Sequence, residues 1–288
     1  MSAQPRRIWL CADDYGMSSG VNRGIRELID RRRLNATSVM VVGPAIGRDE
    51  VTALQGAASA ALCAIGLHVT LTAPFHPLTL HFGPVHGGDF LPLGRMLRAS
   101  LLRRLDPEII RGEIAAQLAA FAELFGRAPD YVDGHQHVQL FPQVRDAFLA
   151  AVKAAAPNAW VRQCGRALPL AQRLGQPKAL LLDALSARFR AHCSKAGVAF
   201  NPGFAGAYDF ARDVDFGDVM PGFLNGLPDQ GLVMCHPGFV DDVLVSLDPF
   251  TTQREREYEF LAGDGFSRVL QAHSVTLLAP VVLSHTKI

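Results

Sequence analysis

Ile8-Trp9-Leu10-Cys11-Ala12-Asp13-Asp14-Tyr15-Gly16 is an apolar run that ends abruptly in two adjacent acids and a glycine. Val21, Ile25, Leu28 and Ile29 then recur with helical spacing as far as Arg32. A short apolar strand followed by an amphipathic helix is half of a βαβ unit, and the same rhythm runs to the end of the chain. Thr37 to Val42 is rich in β-branched residues and stops at Gly43-Pro44. Further strands are expected at Leu62 to Leu71, Tyr131 to Val138, Trp160 to Cys164, Val198 to Phe200, Leu232 to Cys235 and Val275 to Leu278. Between them, Asp106-Pro107-Glu108 opens a helix that should stop at Gly126, because it places a capping carboxylate before proline at the first helical position. Gln143 to Ala155 and Leu174 to Ala196 read as further helices, and Asp248-Pro249 as the start of another.

Seven or eight strands alternating with helices imply a parallel sheet. In 288 residues a closed or nearly closed (β/α) TIM-like barrel fits best, with an open doubly wound sheet as the alternative. No break in composition marks a second domain, so residues 1–288 read as a single α/β domain. The stretch from about 74 to 105 has no periodicity and reads as an irregular insertion.

Composition narrows the function classes. Hydrophobic residues make up 49% of the chain and charged residues 19%, enough apolar material for a large core. The formal net charge is +1 with both signs mixed along the sequence, and no basic stripe suggests nucleic acid. Arg31 to Arg33, the densest basic run, falls where the first helix should end and where cations suit the helix dipole. No apolar stretch approaches the roughly 20 residues that span a bilayer, and the polar start does not resemble a signal peptide. Five cysteines without paired spacing read as reduced packing residues. The expectation is a soluble, cytoplasmic protein, with oligomeric state left open and a homodimer among the options.

The polar residues fall at one structural level. Asp13 and Asp14 end the first strand, His68 the third, Asp133, His135 and His137 the fourth, Arg162 the fifth and His236 the seventh. The carboxyl ends of parallel strands are where such folds keep their sites. Adjacent carboxylates repel unless they share a cation or a proton. For a lone aspartate at this place, with Ser18, Ser19 and Asn22 following, a helix cap would be the simpler reading. If Tyr131 to Val138 is extended, Asp133, His135 and His137 share one face, as metal ligands or as hydrogen-bonded core histidines. His68 alone would pass for a core residue; its level in the fold gives it weight. Phe204, Tyr208 and Phe210 suit either a sugar-stacking surface or the core.

Taken together, Ala12-Asp13-Asp14-Tyr15-Gly16, Gly66-Leu67-His68, Asp133-Gly134-His135-Gln136-His137-Val138 and Cys235-His236-Pro237 resemble the YdjC-like carbohydrate deacetylases, in the expected order along nearly the whole chain. The resemblance implies an irregular (β/α) barrel that binds one divalent cation through Asp14, His68 and His135. It makes Asp13 the general base and His236 the proton donor, with His137 as an outer residue or substrate contact. Asp133 and Arg162 join the candidates as supporting or substrate-facing groups. The implied activity is removal of an acetyl group from an N-acetylated amino sugar or glycolipid. Two nitrogens among three donors suit zinc, and the family is also described with magnesium; manganese and cobalt fit the same set. Two alternatives stay open: a non-haem iron oxygenase built on the same carboxylate and two histidines, and a metal-dependent sugar-binding protein without catalysis.

Overall fold

The structure, a computed structural model, describes residues 4–83, 85–166, 177–209 and 214–278. Its first half runs β1 (Arg6–Tyr15), α1 (Ser19–Asp30), β2 (Ala36–Val39), α2 (Arg48–Ala61) and β3 (Ala64–Val69), then a hairpin of β4 (Val85–His86) and β5 (Asp89–Phe90), followed by α3 (Leu93–Leu101) and α4 (Pro107–Phe125). Next come β6 (Tyr131–Gly134), a 3₁₀ segment (His135–Leu140), α5 (Val144–Ala155), β7 (Trp160–Val161) and α6 (Pro177–Ala196). The chain continues through β8 (Phe204–Ala205), α7 (Phe216–Leu224), β9 (Leu232–Cys235), α8 (Asp242–Leu247), α9 (Thr252–Ala262), α10 (Asp264–Ala272) and β10 (Val275–Leu277).

Seven parallel strands form one curled sheet in the order β7-β6-β3-β2-β1-β9-β8, and β10 adds to the start of β1. Isolated parallel bridges, Val161 to Phe200 and Arg166 to Phe204, link the segments near the two ends of that order. The result is the expected irregular, partly closed barrel, held in one domain. The strand expected at Val198 to Phe200 is only such a bridge; the paired strand lies at Phe204–Ala205. The insertion is less irregular than its sequence suggests, since it contains the β4–β5 hairpin and α3.

Helix boundaries follow the local chemistry. Ser18 caps α1 by accepting from the Val21 N–H, which leaves Asp13 and Asp14 no capping task. Asp106 caps α4, Pro107 occupies its first turn, and Gly126 closes it with φ 68°. Asp248 does not open a helix as the sequence suggests: it follows α8, and the next helix starts at Thr252 without a side-chain cap. The expected start of α6 at Leu174 and the candidate Phe210 lie outside the described residues.

Inside the barrel, Tyr131 stacks on Trp160 with ring centroids 4.5 Å apart, and Trp9 leans on Trp160 at 5.5 Å. Gly66 on the neighbouring strand makes room for this, because a Cβ there would stand 2.4 Å from the Tyr131 ring. The Tyr131 hydroxyl meets Cys11 Sγ at 2.9 Å and Ser38 Oγ at 3.0 Å, just beneath the polar cluster at the strand ends. An aromatic plug therefore forms a rigid, dry floor for the site.

Candidate metal centre

Regular strand geometry points adjacent side chains to opposite faces. At Asp13 and Asp14 the strand is not regular. The β1–β2 register passes from Ala12↔Thr37 to Tyr15↔Val39, so one extra residue is inserted in β1. Asp14 also adopts φ 68°, a left-handed conformation that aspartate tolerates better than most residues. A bulge of this kind re-aims side chains, and both carboxylates end up buried at the mouth of the barrel. A strained backbone at a buried polar cluster is a recognised mark of a functional site.

Asp14, His68 and His135 bring one carboxylate oxygen and two imidazole nitrogens within 4.8 Å of one another. Asp14 Oδ1 is 3.0 Å from His135 Nδ1 and 3.4 Å from His68 Nε2. The second nitrogen of His68 lies 2.6 Å from Asp133 Oδ1. An ionised carboxylate can only accept, so Nδ1 donates its proton to Asp133, and Nε2 is the nitrogen left to face Asp14. A histidine whose far nitrogen is held by a carboxylate is the usual support for a metal-binding imidazole. Asp133 is itself fixed, accepting from Ser38 Oγ at 2.6 Å and pairing with Arg162 at 2.5 Å.

Two buried arginines hold the two adjacent acids. Arg162 grips Asp13 through both terminal nitrogens, each at 2.6 Å. Arg254, from α9, reaches Asp14 Oδ2 at 2.6 Å and Asp248 Oδ2 at 2.7 Å, so that Oδ1 alone faces the histidines. Cys11, Asp13 and Asp133 also converge as a possible cation cage. The Arg162 guanidinium fills that cage, with Cys11 Sγ 2.9 Å from Nη2, and leaves no space for an ion.

Charge bookkeeping favours a cation at the first cluster. Arg162 and Arg254 answer two of the charges on Asp13, Asp14, Asp133 and Asp248, so negative charge is left over beside His68 and His135. Burial would raise the Asp13 carboxyl, but Arg162 and His68 outweigh it and hold it at about 2. Asp14 is likewise held well below the usual carboxylate range: burial opposes the shift, and Arg254 and His135 win. Burial would lower His68, whereas Asp133 and Asp13 raise it to about 10. That site holds a proton tightly in the absence of a metal, and a bound cation would displace it. The donor set and the leftover charge thus fit one divalent ion.

His137 does not join this cluster. Gln136 and His137 take φ 53° and 60°, so β6 ends at Gly134 and the expected two-residue alternation is broken. His137 packs edge-on against Phe204 at 5.7 Å, with Nδ1 3.4 Å from Cys164 Sγ. Burial and the nearby Arg162 lower it to about 3, so it is neutral. His236 follows β9 directly, with its ring edge-on to Phe250 at 5.7 Å. Burial lowers it to about 4 despite the pull of Asp14 and Asp13. Of the aromatics considered for sugar stacking, Phe204 is wholly buried and Tyr208 packs toward Phe216 and Phe223. From the insertion, Phe75 packs edge-on to His135 at 5.8 Å. Leu78 and Thr79 of the same loop are tied down by the buried Glu113 carboxylate.

Arg254 and its helix neighbour Glu257 are invisible to sequence reasoning. The α9 sequence Thr252-Gln-Arg-Glu-Arg-Glu-Tyr-Glu reads as a solvated surface helix, yet Gln253, Arg254, Glu257 and Leu261 are its buried stripe. Among the described residues no helix is long and apolar enough to cross a membrane.

Solved structures with the same fold place this geometry in context. The chain superposes on a putative cellobiose-phosphate cleavage protein from Enterococcus faecalis V583 with a TM-score of 0.72, at 19% identity, over 96% of this chain and 97% of that one. A lactam utilization protein from Thermus thermophilus matches at TM-score 0.50 and 15% identity, over 96% of this chain and all of the other, 100%. At such identities the likeness speaks for the fold alone. The profile described as YdjC-like protein matches residues 7–272, nearly the whole sequence, and the chain belongs to the YdjC-like family.

Proposed function

We propose that this protein is a metal-dependent hydrolase that releases acetate from an N-acetylated amino sugar. The observation that supports this most is the pairing of a three-donor cluster, Asp14, His68 and His135, with a second carboxylate, Asp13, that lies outside that donor set and is gripped by Arg162. A site that only bound a metal, or only bound a sugar, would not need Asp13 clamped beside the ligands by a buried arginine.

Asp14, His68 and His135 would hold the ion, Asp133 would orient His68, and Arg254 would present a single oxygen of Asp14. A divalent cation there supplies Lewis acidity toward an acetamide carbonyl and lowers the pKa of water. Asp13, fixed by Arg162, accepts the proton that water loses as it attacks the carbonyl carbon. The carbon–nitrogen bond then breaks, and the departing amine takes a proton through His236. The balance is one water consumed, one acetate and one free amine formed. His236 is neutral near pH 7, so the proton it hands to the amine is the one Asp13 took from water, passed on after the attack, which leaves both groups as they began. Phe75 packs edge-on against His135 and adds an apolar wall beside it.

Metal identity is a matter for titration, with zinc first and magnesium, manganese and cobalt next. The test is acetate release from a panel of N-acetylated sugars and glycolipids with each metal added to stripped protein. Release that depends on the metal and proceeds without oxygen supports the reading. Turnover that requires oxygen would favour the oxygenase alternative, and binding without any turnover the sugar-binding one.

A further inference from the structure

We propose that Glu257 is a positioning residue that aims His236 at the reacting amine; the proposal rests on the deacetylase reading above. Glu257 lies on α9, one turn beyond Arg254, and is wholly buried. One oxygen of its carboxyl accepts from the Tyr208 hydroxyl at 2.6 Å, and the other accepts from the backbone N–H of His236. Tyr208 belongs to the loop after β8 and His236 to the turn after β9. A single carboxyl group thus ties two catalytic-face loops to one helix.

The rest of the His236-Pro237-Gly238 turn is held from both sides. The Gly238 N–H donates to the Arg254 carbonyl at 3.1 Å. On the opposite side the turn presses on α1 so closely that a Cβ on Gly238 would stand 2.9 Å from Val21 Cα. The side chain of His236 meets the Phe250 edge. The imidazole starts from a backbone held in this way, and Glu257 is the acidic side chain bonded to the N–H of that backbone.

A backbone N–H at a strand end needs only a neutral acceptor. A buried carboxyl is a costly choice for that task, and burial drives this one up to about 7 even though Tyr208 and His236 donate to it. The same face of the same helix, three residues earlier, fixes Asp14 through Arg254. Both halves of the reaction, the ligand carboxylate and the proton-delivering histidine, are thereby registered to one rigid element.

The experiment compares wild type with Glu257→Leu, which removes both contacts, and Tyr208→Phe, which removes the hydroxyl contact alone, as full-length proteins. Two acetyl compounds are assayed with metal present. An N-acetylated amino sugar releases an amine that must be protonated, whereas 4-nitrophenyl acetate releases a phenolate that need not be. The expected result is a fall in kcat for the amide of roughly 10- to 100-fold, the range seen when an outer partner is removed. KM and the ester rate should stay near wild type, and Tyr208→Phe should show a smaller change in the same direction. In parallel, the imidazole ¹⁵N resonances of His236, assigned with His236→Asn, are recorded on metal-free protein and should move in both variants. Equal losses on amide and ester, or no loss on either, would overturn the proposal. If wild type cleaves neither compound, the deacetylase reading itself fails. The resonance shift then decides alone: movement keeps Glu257 as the group that sets His236, and unchanged resonances end the idea.

Discussion

The two strand ends that build the cluster reach the same place by opposite devices. At β1 an extra residue and a left-handed aspartate turn two consecutive acids into one polar cluster, and each acid is then locked by its own buried arginine. At β6 the strand stops early, the chain tightens into a 3₁₀ turn, and of three candidates at alternate positions only Asp133 and His135 face the cluster. Regular geometry would have delivered one acid at β1 and three residues at β6; the fold delivers two and two. Backbone irregularity, rather than residue spacing, decides which side chains meet.

Substitutions at the two ends should behave differently. The largest effect is expected at β1, where Asp13→Asn removes the proton acceptor but no metal donor. Steady-state assay should show turnover lowered by roughly 10²- to 10⁴-fold, with metal content per chain near wild type. Loss of the metal in that variant would mean that Asp13 and Asp14 share the ligand role. Arg254→Met comes next. In stripped protein it leaves the buried Asp14 and the half-buried Asp248 without their guanidinium, and breaking a buried pair costs about 3–5 kcal/mol. Denaturant unfolding should register that loss, and adding the metal should restore part of it, because the cation replaces one of the missing charges. A variant equally destabilised with and without metal would detach Arg254 from the site. The smallest effect belongs to β6. His137→Phe should leave metal stoichiometry unchanged, since His137 is neutral and packed against Phe204 and Cys164. A metal deficit there would show that His137 swings into the cluster.

The same contrast explains what can be read in advance. The barrel is legible from β1, β3 and β9 because fully buried parallel strands are continuous apolar runs, and their ends are marked by Asp13, His68 and His236. The α4 boundaries are written in Asp106, Pro107 and Gly126. The turn at His135 is not legible, because nothing in Gln136-His137 announces two left-handed residues in a row. Arg254 and Glu257 are hidden more deeply. A buried charged stripe on a helix has the composition of an exposed face, and Arg254 stands 240 positions from the acid it holds. Asp248 carries a trace of the arrangement but reads as a helix cap, since capping is the commoner use of Asp-Pro.

The account turns on a single ion held by side chains from β1, β3 and the end of β6. Metal content per chain, measured by inductively coupled plasma mass spectrometry after loading with zinc and removal of excess, tests it most directly. One ion per chain in the wild-type protein, and none in the folded His68→Ala/His135→Ala double variant, is the predicted outcome. Full occupancy in that double variant would contradict the assignment and remove the basis for the chemistry built on it.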